Sequence, residues 1–320
     1  MSVIYLTKKT SKLSKNGGRL VVRDNDEVMV SLPAINVTNV VVSSEAQIST
    51  QAIRLLLAQG SHIVYTDWQG NFIGMTTAER GDIHNAFLQM GICNDEAKKI
   101  HMVKFMVITK LNNQVDLLKT YAKYRSSLTL QKSAKRLSRY ALKIEKADSV
   151  DELRGIEGAC AKEYFSMFDE IVCPVGFNWN GRSRRPAADE VNAMLNYGYA
   201  FLEREVRVIL MGAGLDERFG FLHANNGRKD SLVYDLMELV RQSVIDRLVL
   251  HSLCRKRIKK DDFEAFNNSY RLTDEGRGKW IDIYEQWMQE GRHGRRTIKN
   301  AVDSFVRSMH DCDEGELCAI

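Results

Sequence analysis

The feature that most constrains this chain is a change of hydrophobic period near residue 80. Before it, apolar residues fall in short runs: "VIYLT", "GGRLVVRD", "EVMVSLP", "VTNVVVSS", "SHIVYTD" and "NFIGMT". These are rich in Val, Ile, Thr and Tyr and are parted by turn formers such as Asn16-Gly17-Gly18 and Asp24-Asn25-Asp26. Short β-branched runs between turn formers read as strands. After about residue 82 the spacing becomes three-and-four, as in "DEAKKIHMVKFMVITKLNNQVDLLKTYAK" and "DSLVYDLMELVRQSVIDRLVLHSL". A stripe at that spacing lies along one face of a helix and cannot line one face of a sheet.

The expected fold is therefore α+β in two parts: a β-sandwich over residues 1–80, a linker over 81–94 and an all-α helical domain over 95–320. One helix, "QAIRLLLAQG", interrupts the strands, with Ser49 or Thr50 to cap it and Gly60 to end it. A length of 320 residues suits two cores, and only 3 prolines suit long helices. The 6 cysteines include no C-x-x-C pair, which argues against a zinc knuckle. The opening "MSVIYLTKKTSKLSK" has no signal-peptide core, and no apolar run has the length of a membrane span. A cytoplasmic protein with reduced thiols is expected. The end, "HDCDEGELCAI", reads as a mobile or partner-facing acidic tail.

Acids stand close to the apolar stripes of two helices. After Asp148-Ser149 the stripe runs Leu153, Ile156, Cys160, Tyr164, Met167, Ile171, and Glu157 borders it. Gly155 and Gly158 flank this Glu; a glycine inside a helix costs about 1 kcal/mol relative to alanine, so the pair suggests close approach by another backbone or by a ligand. In "GFLHANNGRKDSLVYDLMELV" a lone His223 precedes a helix that carries Asp235 and Glu238 three residues apart. Two like charges at that spacing repel. A solvated face, an arginine partner or a divalent cation would each answer the repulsion. Spacing alone does not join Glu157, His223 and the acids of the later helix.

The formal charge is +5, and its distribution is uneven. Basic runs occur at "KSAKRLSRYALK", "GRSRRP", "RKRIKK" and "GRHGRRTIK", all in the helical part. One such run is ordinarily a solvated face. Four of them suit contact with phosphate backbone. Tyr124, Tyr140, Trp179 and Trp280 lie near the runs and suit either core packing or base stacking.

"GFNWNGRSRRPAADEVNAMLNYGYAFL" followed by "GFLHANNGRKDSLVYDLMELVRQSVIDRLVL" resembles the CRISPR-associated integrase of spacer acquisition, the endonuclease of the universal adaptation module. "LSKNGGRLVV", "VVVSSEAQISTQAIRLLLAQGSHIVYTDWQGNFIG", "ITKLNNQVDLL", "LRGIEGACAKEYF" and "YRLTDEGRGKWIDIYEQ" extend the resemblance over nearly the whole chain in the family's order. The resemblance implies a β-sandwich used for dimerisation and a helical catalytic domain. It implies a Mg²⁺ or Mn²⁺ site held by Glu157, His223 and Glu238, the last often Asp in relatives, with Asp235 close by in an open role. It implies joining of 3′-hydroxyl ends of short double-stranded DNA into CRISPR repeat DNA by phosphodiester transesterification, in antiviral defence. Arg182, Arg184 and Arg185 are the candidates for phosphate contact. The implied assembly is a homodimer, two of which flank a dimer of a small CRISPR-associated partner protein in a heterohexamer. The competing readings are a non-catalytic DNA-binding scaffold and a metallohydrolase of small phosphate esters, the latter disfavoured by the basic runs.

Overall fold

The computed structural model describes residues 2–223, 230–289 and 293–314. Cys318, the end of the acidic tail and the stretch 224–229 after His223 lie outside these residues. The chain divides into two compact units, Met1–Gly81 and Asp82–Ile320.

The first unit is a sandwich of two four-stranded sheets. Its strands are β1 (Ser2–Leu6), β2 (Ser11–Asn16), β3 (Arg19–Asp24), β4 (Glu27–Pro33), β5 (Val37–Val42), β6 (Gln47–Ile48), β7 (His62–Thr66) and β8 (Phe72–Thr76). One sheet has the order β1-β5-β7-β8 and the other β4-β3-β2-β6. Strands β1, β5 and β7 run parallel, and β8 returns antiparallel to β7. Alternation sends Ile4, Leu6, Leu13, Leu20, Val40 and Ile63 into one shared core. Helix α1 (Thr50–Ala58) adds Ala52 and Leu56 to that core, and the Ser49 hydroxyl caps it by accepting the Ala52 N–H. Strand β4 stands at a sheet edge and leaves Val28 and Met29 exposed.

The second unit is helical. Its elements are α2 (Ile83–Asn94), α3 (Glu96–Arg125), α4 (Leu128–Ser138), α5 (Ala141–Lys146), α6 (Val150–Ser166), α7 (Phe168–Val172), α8 (Glu190–Ala213), α9 (Ser231–Glu238) and α10 (Arg247–Cys254). The strands β9 (Phe263–Phe266) and β10 (Ser269–Leu272) follow, then α11 (Asp274–Gln289) and α12 (Arg295–Asp313). No helix of the described residues is long and apolar enough to cross a membrane. The side chains of Asp95, Ser149 and Asp189 cap α3, α6 and α8 by accepting N–H groups of their first turns.

Three details differ from the sequence expectation. Residues 81–94 are not a free linker: most of them form α2, which belongs to the helical unit. Gln89 of α2 is fully buried, and its amide donates to the carbonyls of Asp216 (2.9 Å) and Phe219 (2.6 Å) while accepting the Asp216 N–H. A segment with that buried partner cannot swing as a tether. The helical unit also holds one hairpin, β9–β10, whose turn residues Asn267 and Asn268 adopt positive φ of 46° and 58°. Finally, the helix expected to run through 231–253 is interrupted. Between α9 and α10, residues Gln242–Asp246 form a π-helical turn, a widening often found at functional sites.

Candidate active site

Four segments of the helical unit meet around the acids. The first is the turn Phe221–His223, which wraps the carboxylate of Asp235. Oδ2 of Asp235 accepts the N–H groups of Phe221 (2.6 Å) and Leu222 (3.0 Å), and Oδ1 accepts that of His223 (3.0 Å). Oδ1 also lies 2.5 Å from Nδ1 of the His223 ring. Asp235 has no solvent exposure, whereas the His223 side chain is 45% exposed. Charge-assisted bonds of this kind hold the imidazole with Nδ1 inward and leave Nε2 on the opposite edge of the ring. The turn can approach so closely because residue 220 is glycine. A Cβ there would meet the Ser231 Cβ at 2.6 Å and the Asp235 Oδ2 at 2.9 Å.

Helix α6 is tied to the same turn. Arg154 Nε donates to the Leu222 carbonyl at 2.6 Å, and Glu157 follows one turn along the same helix. Glu157 is partly exposed, and Gly155 and Gly158 beside it face open space. Their expected approach to another backbone is therefore not found among the described residues, because α6 turns this face outward.

Helix α3 supplies the third segment. Lys110 sits on its buried stripe with Met106, Val107, Leu111 and Gln114. Its ammonium contacts Oε1 of Glu157 and lies 2.7 Å from Oε2 of Glu238. Asn113, one turn further along α3, donates to the Leu239 carbonyl at 2.7 Å and so fixes the end of α9. The guanidinium of Arg241 takes the other Glu238 oxygen at 2.8 Å. Burial disfavours the Glu238 charge, yet Arg241 and Lys110 outweigh it and bring its carboxyl down to about 2. Glu238 is thus a carboxylate at neutral pH despite 5% exposure of its side chain.

Behind these groups lies a buried polar layer. Arg241 stacks 4.3 Å from the centroid of the Tyr199 ring, and Arg182 lies 5.3 Å from it. The hydroxyls of Tyr199 (2.6 Å) and Tyr164 (2.8 Å) donate to the carboxylate of Asp246. Burial raises the Asp246 carboxyl to about 6, against the lowering effect of the two hydroxyls and of Arg241 and Arg182.

Glu157 and Glu238 converge on one cation, and His223 is held by Asp235 beside the helix that carries Glu157. Among the described residues no three acids, histidines or cysteines form a ready metal cluster, since Lys110 stands between the two glutamates. The donor set still suits a hard divalent ion. The two carboxylates that flank the Lys110 ammonium, which lies 2.7 Å from buried Oε2 of Glu238, are oxygen donors of the kind such an ion takes. Sequence reasoning missed Lys110, Arg241, Tyr199 and Asp246. Lys110 had a visible signal, a lone lysine at a stripe position of α3; Arg241 stands three residues after Glu238, where helical pairing is expected.

The three arginines divide. Arg182 donates to Asn192 Oδ1 (2.9 Å) and Asn196 Oδ1 (2.6 Å) of α8 and is a structural strut, whereas Arg184 and Arg185 are exposed. Trp179 and Trp280 are core residues, and Tyr124 is exposed.

Residues 4–286 match the family described as CRISPR associated protein Cas1. The chain is 31% identical over 288 residues to the CRISPR-associated endonuclease Cas1 1 of Thermus thermophilus, covering 90% of this chain and 87% of the relative. It is 30% identical over 262 residues to the CRISPR-associated endonuclease Cas1 of Thermotoga maritima, covering 81% and 79%. A solved CAS1 protein from Thermotoga maritima superposes with a TM-score of 0.83 at 26% identity over 97% of each chain. Likeness of this extent spans both the sandwich and the helical unit. The chain belongs to the CRISPR-associated protein Cas1 family.

Proposed function

We propose that this protein is a divalent-metal-dependent DNA integrase and endonuclease of CRISPR spacer acquisition, acting in the cytoplasm. The observation that carries the reading is the convergence of Glu157 and Glu238 on one cation, beside a histidine oriented by a buried carboxylate. The names of the relatives, CRISPR-associated endonucleases, support the same chemistry.

Glu157, Glu238 and Nε2 of His223 would hold Mg²⁺ or Mn²⁺, two carboxylates suiting either ion and the imidazole inclining the set toward Mn²⁺. When bound, such an ion polarises a phosphoryl oxygen and positions an attacking oxygen. The residues of this chain do the rest. Asp235 fixes the ring and tautomer of His223. Arg241 keeps Glu238 ionised, and Tyr199 and Asp246 keep Arg241 in place. Arg184 and Arg185 offer charge to the phosphates of the DNA. A 3′-hydroxyl of a short duplex attacking a repeat phosphate forms a new P–O bond as the bond to one oxygen of the repeat strand breaks and that oxygen leaves as a hydroxyl, which gives joining; water in place of the 3′-hydroxyl gives cleavage.

The proposed assembly is a homodimer through the sandwich unit, where the exposed Val28 and Met29 of edge strand β4 offer an apolar strip, with two such dimers around a dimer of a small CRISPR-associated partner in a heterohexamer. The scaffold reading takes Glu157 and Glu238 simply as ion-pair partners of Lys110 and Arg241. It leaves the half-exposed His223, with its four-bonded Asp235, without a task.

Strand transfer decides between them. A labelled duplex with 3′-hydroxyl ends is incubated with a repeat-bearing plasmid, the small partner and Mg²⁺ or Mn²⁺. Joined product is expected, and none with His223→Ala or Glu157→Gln. Equal joining by His223→Ala would overturn the site.

A further inference from the structure

We propose that Lys110 is an exchangeable counter-ion that couples metal binding to DNA binding. The proposal rests on the metal site just described and goes beyond it. Lys110 occupies, with its own charge, the position between the two carboxylates. An ammonium and a divalent ion cannot share those oxygens, because both are cations seeking the same lone pairs. Metal entry therefore has to move Lys110.

The structure limits where the displaced ammonium can go. The lysine stem rises from the buried face of α3 between Met106, Val107, Leu111 and Gln114, and its side chain is 7% exposed. Toward Glu238 the site is closed, since that side chain is 5% exposed and its second oxygen is held by Arg241. Toward Glu157 it opens: that side chain is 24% exposed, and Gly155 and Gly158 leave the adjoining surface of α6 bare. A displaced ammonium thus moves to the mouth of the site beside Glu157. There it has lost its carboxylates and needs another anion, for an unpaired, half-desolvated charge is unfavourable. A DNA phosphodiester supplies that anion. The ion then binds more tightly when DNA is present, and by reciprocity DNA binds more tightly when the ion is present.

Mn²⁺ binding followed by electron paramagnetic resonance tests this, with and without a short duplex that ends in 3′-dideoxynucleotides so that no chemistry occurs. For the parent protein the duplex should tighten Mn²⁺ binding. Lys110→Met should bind Mn²⁺ about tenfold more tightly without DNA, and the duplex should then add little. Lys110→Arg, which keeps the charge and grips both acids, should weaken Mn²⁺ binding instead; this variant serves where the methionine form folds poorly, as checked by thermal melting. Mn²⁺ affinity and DNA coupling unchanged in Lys110→Arg, or in a folded Lys110→Met, would overturn the proposal and leave the lysine a structural ion-pair partner. Glu157→Gln separates the two levels. If it binds Mn²⁺ like the parent, the metal-site reading itself fails; if it loses Mn²⁺ while the Lys110 variants behave like the parent, the exchange alone fails.

Discussion

Nδ1 of His223 lies 2.5 Å from Oδ1 of Asp235, a carboxylate that has no solvent exposure and receives three backbone N–H groups as well. The aspartate holds both the histidine ring and the turn that carries it. In Asp235→Asn the amide nitrogen would face donors and leave at least one of them without an acceptor. Destabilisation of about 2 kcal/mol is expected in denaturant unfolding. Joining activity should fall about ten- to a hundredfold, the usual effect of removing the partner of a metal-bound histidine.

His223→Ala should behave differently. Its ring is half-exposed, and the backbone bonds to Asp235 survive the change. Unfolding should shift by about 1 kcal/mol or less, while strand transfer disappears. A large loss of stability alongside the lost activity would show that the ring supports the fold.

Glycine substitutions should separate two surfaces. Gly220→Ala forces a Cβ against Ser231 and the Asp235 carboxylate, and overpacking of this kind costs about 1–3 kcal/mol. Gly158→Ala meets nothing within contact distance and should stabilise α6 by about 1 kcal/mol. The same variant should weaken DNA binding if DNA lies on the bare face of α6. Thermal melting and a duplex-binding titration check both halves.

Asp246 should imprint a pH dependence on stability. Burial raises its folded-state carboxyl to about 6 from an ordinary 3.8, so the folded protein holds a proton that the unfolded chain releases earlier. Stability from this group is full below about pH 4 and is lost as pH rises through about 6, by about 3 kcal/mol at most for two pH units. Asp246→Asn should remove this one-proton step from a series of denaturant titrations between pH 4 and 7.

The arginines of the 181–186 run should part company. Arg184→Ala and Arg185→Ala are expected to weaken duplex binding and to lower the salt slope by about one each. Arg182→Ala should instead destabilise, since it strips Asn192 and Asn196 of a donor that joins the loop to α8.

The division of the chain was legible because sandwich and helix demand different periods, and the caps at Ser49 and Ser149 are local chemistry that sequence displays. Val28 and Met29 fit the strand pattern, yet only the sheet order shows that they line an edge. The link between Glu157 and the pair Asp235 and Glu238 came from resemblance, because no local rule joins segments that far apart. Lys110 was hidden for the same reason: a lysine on a helix stripe states that something anionic faces it but not which acids. The π-helical turn at 242–246 carries neither glycine nor proline to announce it. It ends on Asp246, which lies between two tyrosine hydroxyls that come from distant helices.

That turn gives the helix between Glu238 and α10 a geometry of its own. A π-helical turn holds one residue more than an α-helical one, so deleting any single residue of 242–246 would let the backbone relax to a continuous α-helix. Because the wide turn already absorbs the extra residue, everything downstream would keep its face relative to Glu238; closing all five residues into α-helix without a deletion would instead turn it by about 100°. Tightening the turn at full length would carry Asp246 off its tyrosines and α10 off its packing face together. The widening, rather than the count of residues alone, sets the face that α10 presents.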